Sequence, residues 1–309
     1  MNHQSPKLTG LIAAPFTPMM ENGDVNLAMI DRLAKRLIED GVAGAFVCGT
    51  TGESLSLTVE ERKAVAKEWR ERAGDRLKVI VHVGHTSQRD AARLAAHAAE
   101  IGADAVGAMP PSFFRPAGVR ELVDWCAGVA EAAPDVPFYY YHIPSMTGVT
   151  LSMTEFLAVA GERIPNLAGI KFTSEDLMEY AACLRFDGGR YNILFGRDEI
   201  LLAALALGSP GAVGSTYNYA APIYHDVIRA YKAGDMAAAQ AAQDKSIRLV
   251  QAFAQYGGLA AQKAIMKWTG IDCGGVRLPL RNLSEDALHE LRGKIEALGF
   301  IPLAASAVG

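Results

Sequence analysis

The chain has 309 residues, is half hydrophobic with 30 glycines, and carries a formal charge of −4. It can bury one large core and offers no electrostatic footprint for nucleic acid or an anionic membrane. No run of ~18 apolar residues is present to span a bilayer, and Met1-Asn2-His3-Gln4-Ser5-Pro6-Lys7 lacks the apolar core of a signal peptide, so a cytosolic protein acting on small molecules is expected.

Short β-rich runs bounded by glycine, proline or polar residues recur every ~20 to 35 residues, with helical patterns between them. The first covers 10–15. The second, 44–49, runs into Gly49-Thr50-Thr51-Gly52-Glu53-Ser54, and Thr58-Val59-Glu60-Glu61 then reads as a capping box opening a helix through Glu71. The third, 78–84, ends in His82-Val83-Gly84-His85, and Thr86-Ser87 precedes an amphipathic helix over 89–101. In an extended segment those two imidazoles point to opposite faces, so a shared metal needs an added turn and further ligands.

A fourth strand is predicted at 105–109 and a fifth at 137–143, which holds Tyr139-Tyr140-Tyr141-His142-Ile143 and leads to Pro144. The sixth, 168–173, contains Lys171. The seventh, 191–196, opens into Gly196-Arg197-Asp198-Glu199, and the eighth, 211–215, into Gly214-Ser215-Thr216-Tyr217-Asn218. Beyond about Tyr217 the pattern is helical only, over 221–233, 235–256, 259–269 and 284–298. Cys48, Cys126, Cys183 and Cys273 are scattered without metal or redox spacing and are expected to be reduced, buried and structural.

About eight βα units in ~220 residues match an α/β fold of the (β/α)8 barrel type better than an open doubly wound sheet. The expected organisation is a catalytic barrel over 1–220 with a C-terminal helical appendage over 221–309. In such a barrel the reacting groups gather where strands end and βα loops begin, which brings the segments after strands two, five, six, seven and eight to one pocket.

Each segment has a plain structural reading beside a functional one. Gly49 to Ser54 reads as a tight strand-to-helix turn, yet its hydroxyls and amides beside a helix start also suit a carboxylate. Aromatic residues favour strands, so the tyrosine run suits core packing, although alternation places Tyr139 and Tyr141 on one face with Tyr141 nearer the barrel mouth. Asp198 and Glu199 suit a helix N-terminus or sugar hydroxyls. Lys171 has the weakest plain reading. Strand parity puts Gly169, Lys171 and Thr173 on one face and Ile170 and Phe172 on the other. If the apolar pair packs against outer helices, the lysine points into the barrel, where loss of water favours the neutral amine that attacks a ketone to form a Schiff base.

The combination of Gly49-Thr50-Thr51-Gly52-Glu53, Tyr141 before His142-Ile143-Pro144, Gly169-Ile170-Lys171 and Gly214-Ser215-Thr216 resembles the superfamily of pyruvate-dependent class I aldolases and lyases that includes dihydrodipicolinate synthase. Nearly the whole chain takes part. The stretches 139–148, 171–174, 195–199 and 211–219, with Gln262-Lys263-Ala264-Ile265-Met266 and Arg277-Leu278-Pro279-Leu280, most closely resemble its N-acetylneuraminate lyase branch, especially the animal type.

The resemblance implies that Lys171 forms the Schiff base and that Tyr141 exchanges protons beside it. It further implies that Thr50 and Thr51 hold the pyruvyl carboxylate, and that Thr173, Gly196, Asp198, Glu199 and Ser215 line a polyhydroxyl tail. No metal or cofactor is called for, and a homotetramer is implied. The resemblance leaves Arg197 without a role. Two departures separate the chain from dihydrodipicolinate synthases, which carry a carboxylate-gripping arginine where this chain has Met146. They also supply a tyrosine across a subunit interface where this chain has Phe113 and Phe114. Both favour a lyase acting on a neutral polyol tail, without fixing the sugar, and the resemblance implies a sialic acid cleaved into pyruvate and N-acetylmannosamine. The alternatives are another keto-deoxy sugar acid aldolase, less so a dihydrodipicolinate synthase, and least of all a non-catalytic keto-acid-binding relative.

Overall fold

The computed structural model describes residues 7–301; residues 1–6 and the last part of the expected helical appendage, 302–309, lie outside it. Eight parallel strands close into a barrel in sequence order, β8 pairing back onto β1. They are β1 (Gly10–Ala13), β2 (Gly44–Val47), β3 (Lys78–His82), β4 (Ala105–Ala108), β5 (Phe138–His142), β6 (Leu167–Phe172), β7 (Asn192–Phe195) and β8 (Gly211–Gly214). Each falls within a residue or two of the run read from the sequence.

The outer layer is formed by α1 (Ile30–Glu39), α2 (Val59–Ala73), α3 (Gln88–Glu100), α4 (Val119–Ala130), the short α5 (Pro144–Thr147), α6 (Met153–Arg163), α7 (Leu177–Arg185), α8 (Leu201–Ala206) and α9 (Tyr217–Lys232). Then come α10 (Met236–Ala254), α11 (Leu259–Trp268) and α12 (Glu285–Ala297). The capping box at Thr58 forms with both reciprocal hydrogen bonds, a motif whose cap alone stabilises a helix by about 1 kcal/mol. Ser87 caps α3 through Asp90 N. Helix α9 begins four residues before the predicted 221. Pro222 lies inside it with a kink at Ala220, because proline lacks the N–H that would continue the ladder and its ring crowds the preceding turn.

Strand parity divides the core in two. Ile170, Phe172, Ile193, Phe195, Phe138 and Tyr140 pack outward against the helices, while Ile12, Phe46, Ile80, Tyr139, Tyr141, Leu194 and Val213 fill the barrel. A register shift where Phe138 meets Leu167 and Tyr139 meets Gly169 precedes the inward face of β6. Gly169 is required there, since a Cβ would sit 1.9 Å from Asn192 O. Lys171 then stands beside Tyr141 on one neighbour and Leu194 on the other. No helix of the described residues is long and apolar enough to cross a membrane.

Candidate active site

A cavity of about 610 Å³ opens at the C-terminal mouth of the barrel. Thr50, Thr51, Tyr141, Lys171, Thr173, Gly196, Asp198, Glu199 and Ser215 all line it. Five chain segments far apart in sequence converge because every strand delivers its last inward residue and following loop to the same end.

Lys171 is 4% exposed. Its Nζ lies 3.8 Å from the Tyr141 ring centroid and 4.1 Å from that of Phe46. Burial pulls the amine down to about 7, and the Asp198 charge works in the opposite direction. The aromatic faces stabilise the ammonium while desolvation stabilises the amine, so both forms are accessible near neutral pH. Tyr141 shares a 3.0 Å hydrogen bond with Thr50 Oγ1. Burial pushes its phenol up to about 12, opposed by the Thr50 and Thr173 hydroxyls. It therefore holds its proton until an adjacent cation or base draws on it. Thr173 Oγ1 makes no hydrogen bond of standard geometry. The space it occupies exists because residue 196 is glycine, where a Cβ would fall 2.1 Å from that oxygen.

The loop after β2 is held in an uncommon shape. Cys48 and Glu53 both adopt left-handed φ values, 58° and 59°, a conformation that non-glycine residues keep only when their surroundings over-determine it. Glu53 supplies that restraint. Its carboxylate accepts from Lys263 Nζ at 2.8 Å and from Arg277 N at 2.8 Å, and the Lys263 and Glu53 side chains are essentially inaccessible. Lys263 also donates to Thr17 O and Gly275 O. The Arg277 guanidinium grips Glu61, Ser56 O and Gly23 O. The C-terminal segment is thereby tied to the loop that carries Thr50 and Thr51.

On the opposite wall Asp198 is buried rather than displayed. Its Oδ2 accepts from Thr216 N at 2.9 Å and Thr216 Oγ1 at 2.6 Å, with Tyr224 OH 2.6 Å from the same hydroxyl. Burial raises the carboxyl to about 6, against these hydrogen bonds and the Lys171 charge. Gly214 leaves it room, since a Cβ would meet Oδ1 at 2.0 Å. Glu199 pairs with Arg197 at 3.1 Å, and Arg197 also reaches Glu175. The predicted helix start at Asp198 is a single 3-10 turn without side-chain capping at Arg197.

The model of the dihydrodipicolinate synthetase family matches residues 7–298. The chain belongs to the dihydrodipicolinate synthetase family. Its similarity within the family is to N-acetylneuraminate lyases: that of Mus musculus is 41% identical over 300 residues, covering 96% of this chain and 94% of the relative. That of Homo sapiens is 42% identical with the same coverage. The structure of Proteus mirabilis N-acetylneuraminate lyase superposes with a TM-score of 0.93 at 45% identity, over 96% of this chain and 100% of that one. That of the Aliivibrio salmonicida enzyme gives 0.93 at 47%, over 96% and 98%.

Some residues of this family member's site were not given a place in the pocket by the sequence, although several stand in the motifs quoted above. Ser54, Met146, Phe253, Gln262, Pro279 and Leu280 line the same cavity, the last four arriving from the helical tail. Phe46 and His82 flank Tyr141, and Arg62 lies buried behind them. Arg62 sits in a strongly charged helix and Lys263 in a largely apolar one, and only the packed structure reveals that both turn inward. The four cysteines are buried and unpaired. His82 Nδ1 faces Cys48 O at 2.9 Å and His85 Nδ1 accepts from Ser87 N at 3.0 Å, so the two imidazoles are engaged apart. Among the described residues no group of three or more His, Cys, Asp or Glu is placed to hold a metal ion.

Proposed function

We infer that the protein is a class I, Schiff-base lyase that reversibly cleaves N-acetylneuraminate to pyruvate and N-acetylmannosamine. The observation that carries this is Lys171, an amine drawn down to about 7 at the floor of the cavity with Tyr141 against it. Similarity to N-acetylneuraminate lyases over nearly the whole chain supports the substrate.

The neutral amine of Lys171 attacks the C2 ketone, and loss of water leaves a protonated imine. That iminium is an electron sink, so deprotonation of the C4 hydroxyl lets the C3–C4 bond break with its electrons settling into an enamine. Tyr141, beside the new cation and hydrogen-bonded to Thr50, is the group placed to take the hydroxyl proton. Protonation at C3 and hydrolysis release pyruvate and return the amine. In this reading Thr50 and Thr51 hold the carboxylate, and Thr173, Gly196, Glu199 and Ser215 line the polyol. Asp198, already occupied by Thr216, shapes that wall and balances the Lys171 charge. Met146, 64% exposed at the rim, places no cation opposite the tail, in keeping with an uncharged polyol. A homotetramer in the cytosol completes the reading, in which Phe113 and Phe114, 81% and 84% exposed, gain cover from neighbouring chains.

The test is to incubate the protein with pyruvate and borohydride, locate the adduct by mass spectrometry, and assay pyruvate release from N-acetylneuraminate. An adduct on Lys171 with cleavage is expected. No adduct sinks the Schiff-base reading, and an adduct without cleavage redirects it to another keto-acid aldolase.

A further inference from the structure

Arg62 points from α2 into the space behind the β2 loop and is 1% exposed. Its guanidinium donates to Gly84 O at 2.8 Å and His82 O at 2.6 Å, and its Nε has no partner. Both acceptors are neutral carbonyls. The one acidic group acting on it is the Cys48 thiol, which burial raises to about 11 and so keeps protonated at neutral pH. A buried cation without a counter-charge is costly unless something else supplies one.

The route from this cation to the cavity is one ring long. His82 lies inside the barrel with Nδ1 2.9 Å from Cys48 O and Nε2 receiving Met109 N–H at 3.4 Å. A carbonyl only accepts and the Met109 N–H only donates, so Nδ1 carries the hydrogen and Nε2 the lone pair; Arg62 Nη2, 3.3 Å from Nδ1, then lies against the ring and gives its hydrogen to His82 O at 2.6 Å. Burial and the Arg62 and Lys171 charges hold the ring neutral. Ser54 Oγ lies 3.0 Å from the same Nδ1 and takes a share of that hydrogen, leaving its own hydroxyl hydrogen free to turn into the cavity it lines. Ser54 follows Thr50 and Thr51 on the same loop, adding a third hydroxyl to that end of the site.

We propose that Arg62, acting through His82 and Ser54, supplies the standing positive charge at the carboxylate end of the cavity and makes the protein select ketones bearing an adjacent carboxylate over neutral ketones of the same shape. The counter-ion of Arg62 is then the bound substrate itself. Arg62 and His82 touch no substrate atom and are positioning residues; Ser54 donates directly. The inference rests on the Schiff-base reading of Lys171.

The experiment compares pyruvate with pyruvamide, its uncharged isostere, by the second-order rate of reductive trapping on Lys171 with cyanoborohydride. The wild-type protein is expected to prefer pyruvate. Arg62→Met should lower the preference ratio by about tenfold or more, the effect of a charge several ångströms away in a poorly screened site, while Arg62→Lys retains most of it. Loss of packing alone would slow both ketones and leave the ratio in place. If Arg62→Met does not fold, Ser54→Ala decides, with an expected fall of about threefold or more from the loss of one charge-oriented hydrogen bond. A wild-type ratio in a folded Arg62→Met or in Ser54→Ala overturns the proposal alone. Absence of any adduct in the wild-type protein overturns the Schiff-base reading and this proposal with it.

Discussion

Tyr139 and Tyr141 lie two residues apart on β5, face the same barrel interior, and are each 2% exposed. Tyr139, toward the N-terminal end, donates to Asn192 Oδ1 at 2.8 Å. Asn192 in turn accepts from Leu8 N and donates to Leu8 O, both at 3.1 Å, so the Tyr139 hydroxyl and the Asn192 amide both have protein partners. Tyr141, toward the mouth, meets Thr50, the Lys171 amine and an open cavity. A smaller cavity of about 310 Å³ also opens at the Tyr139 end, but the polar groups of Tyr139 and Asn192 are satisfied by each other and by Leu8. The other holds an amine, a carboxyl and a guanidinium whose burial is compensated only in part. Two residues of strand, about 6.6 Å, separate a floor that stabilises the fold from a mouth that works against it.

Lys171→Met tests that contrast most severely. Activity should fall by at least ~10⁴-fold with no pyruvate adduct, because among the described residues no other lysine lines the cavity. Stability should rise by about 1 kcal/mol as a desolvated amine becomes a thioether, measured by denaturant titration. A less stable variant would mean that the lysine is part of what holds the mouth together. The tyrosines give the next largest effect. Tyr141→Phe is expected to lower kcat by about 10²–10³ with little change in unfolding midpoint. Tyr139→Phe should cost about 1–2 kcal/mol, leaving Asn192 short of a donor, with activity near wild type. Similar kinetics for the two variants would erase the distinction between the ends.

The clamp on the β2 loop offers a subtler perturbation. Lys263→Met strands the Glu53 carboxylate in a dry site and should destabilise by about 3–5 kcal/mol. Lys263→Met combined with Glu53→Gln should recover part of this. Both variants are expected to raise KM by about tenfold, with kcat less affected, because Thr50 and Thr51 lose the restraint that fixes them. An unchanged KM would show that the left-handed turn at Glu53 persists without its ion pair.

The contrast also explains what was legible in the sequence. Strands read well because a parallel barrel buries both faces, leaving β-rich runs flanked by glycine. Lys171 read well because a charge in such a run has no plain explanation. Tyr139 and Tyr141 did not separate by composition, since the difference lies in what the opposite strands bring. Arg62 was illegible for a related reason. In Glu60-Glu61-Arg62-Lys63 three side chains reach solvent or a partial surface and one turns inward, and helix periodicity over polar residues carries no sign of which. The start of α9 lies four residues before the predicted 221 because the helix is two segments joined across the kink at Ala220, with Pro222 near the start of the second, where its missing N–H costs least.

Acidity supplies the finest test, because the mouth should leave a signature in the pH dependence of both rate and stability. With the Lys171 amine drawn to about 7, its neutral fraction rises about tenfold between pH 6 and pH 8. Pyruvate trapping should rise over that interval with a midpoint near 7. The stability sign follows from the same group. Its folded pKa lies below the ordinary lysine value of 10.5, so the unfolded chain binds more protons between about 7 and 10.5 and this group makes stability increase with pH across that window. Asp198 acts in a lower window. Raised from 3.8 to about 6, it contributes stability that is complete below 3.8 and lost as pH rises through 6. Lys171→Met should therefore flatten the stability profile between pH 7 and pH 9 and carry the Asp198 loss to higher pH, since the charge that lowers that carboxyl is gone, whereas Tyr139→Phe should shift the profile over both ranges without changing its shape. If Lys171→Met retains the wild-type slope above pH 7, the amine is not depressed in the folded protein, and the mouth is as well compensated as the floor.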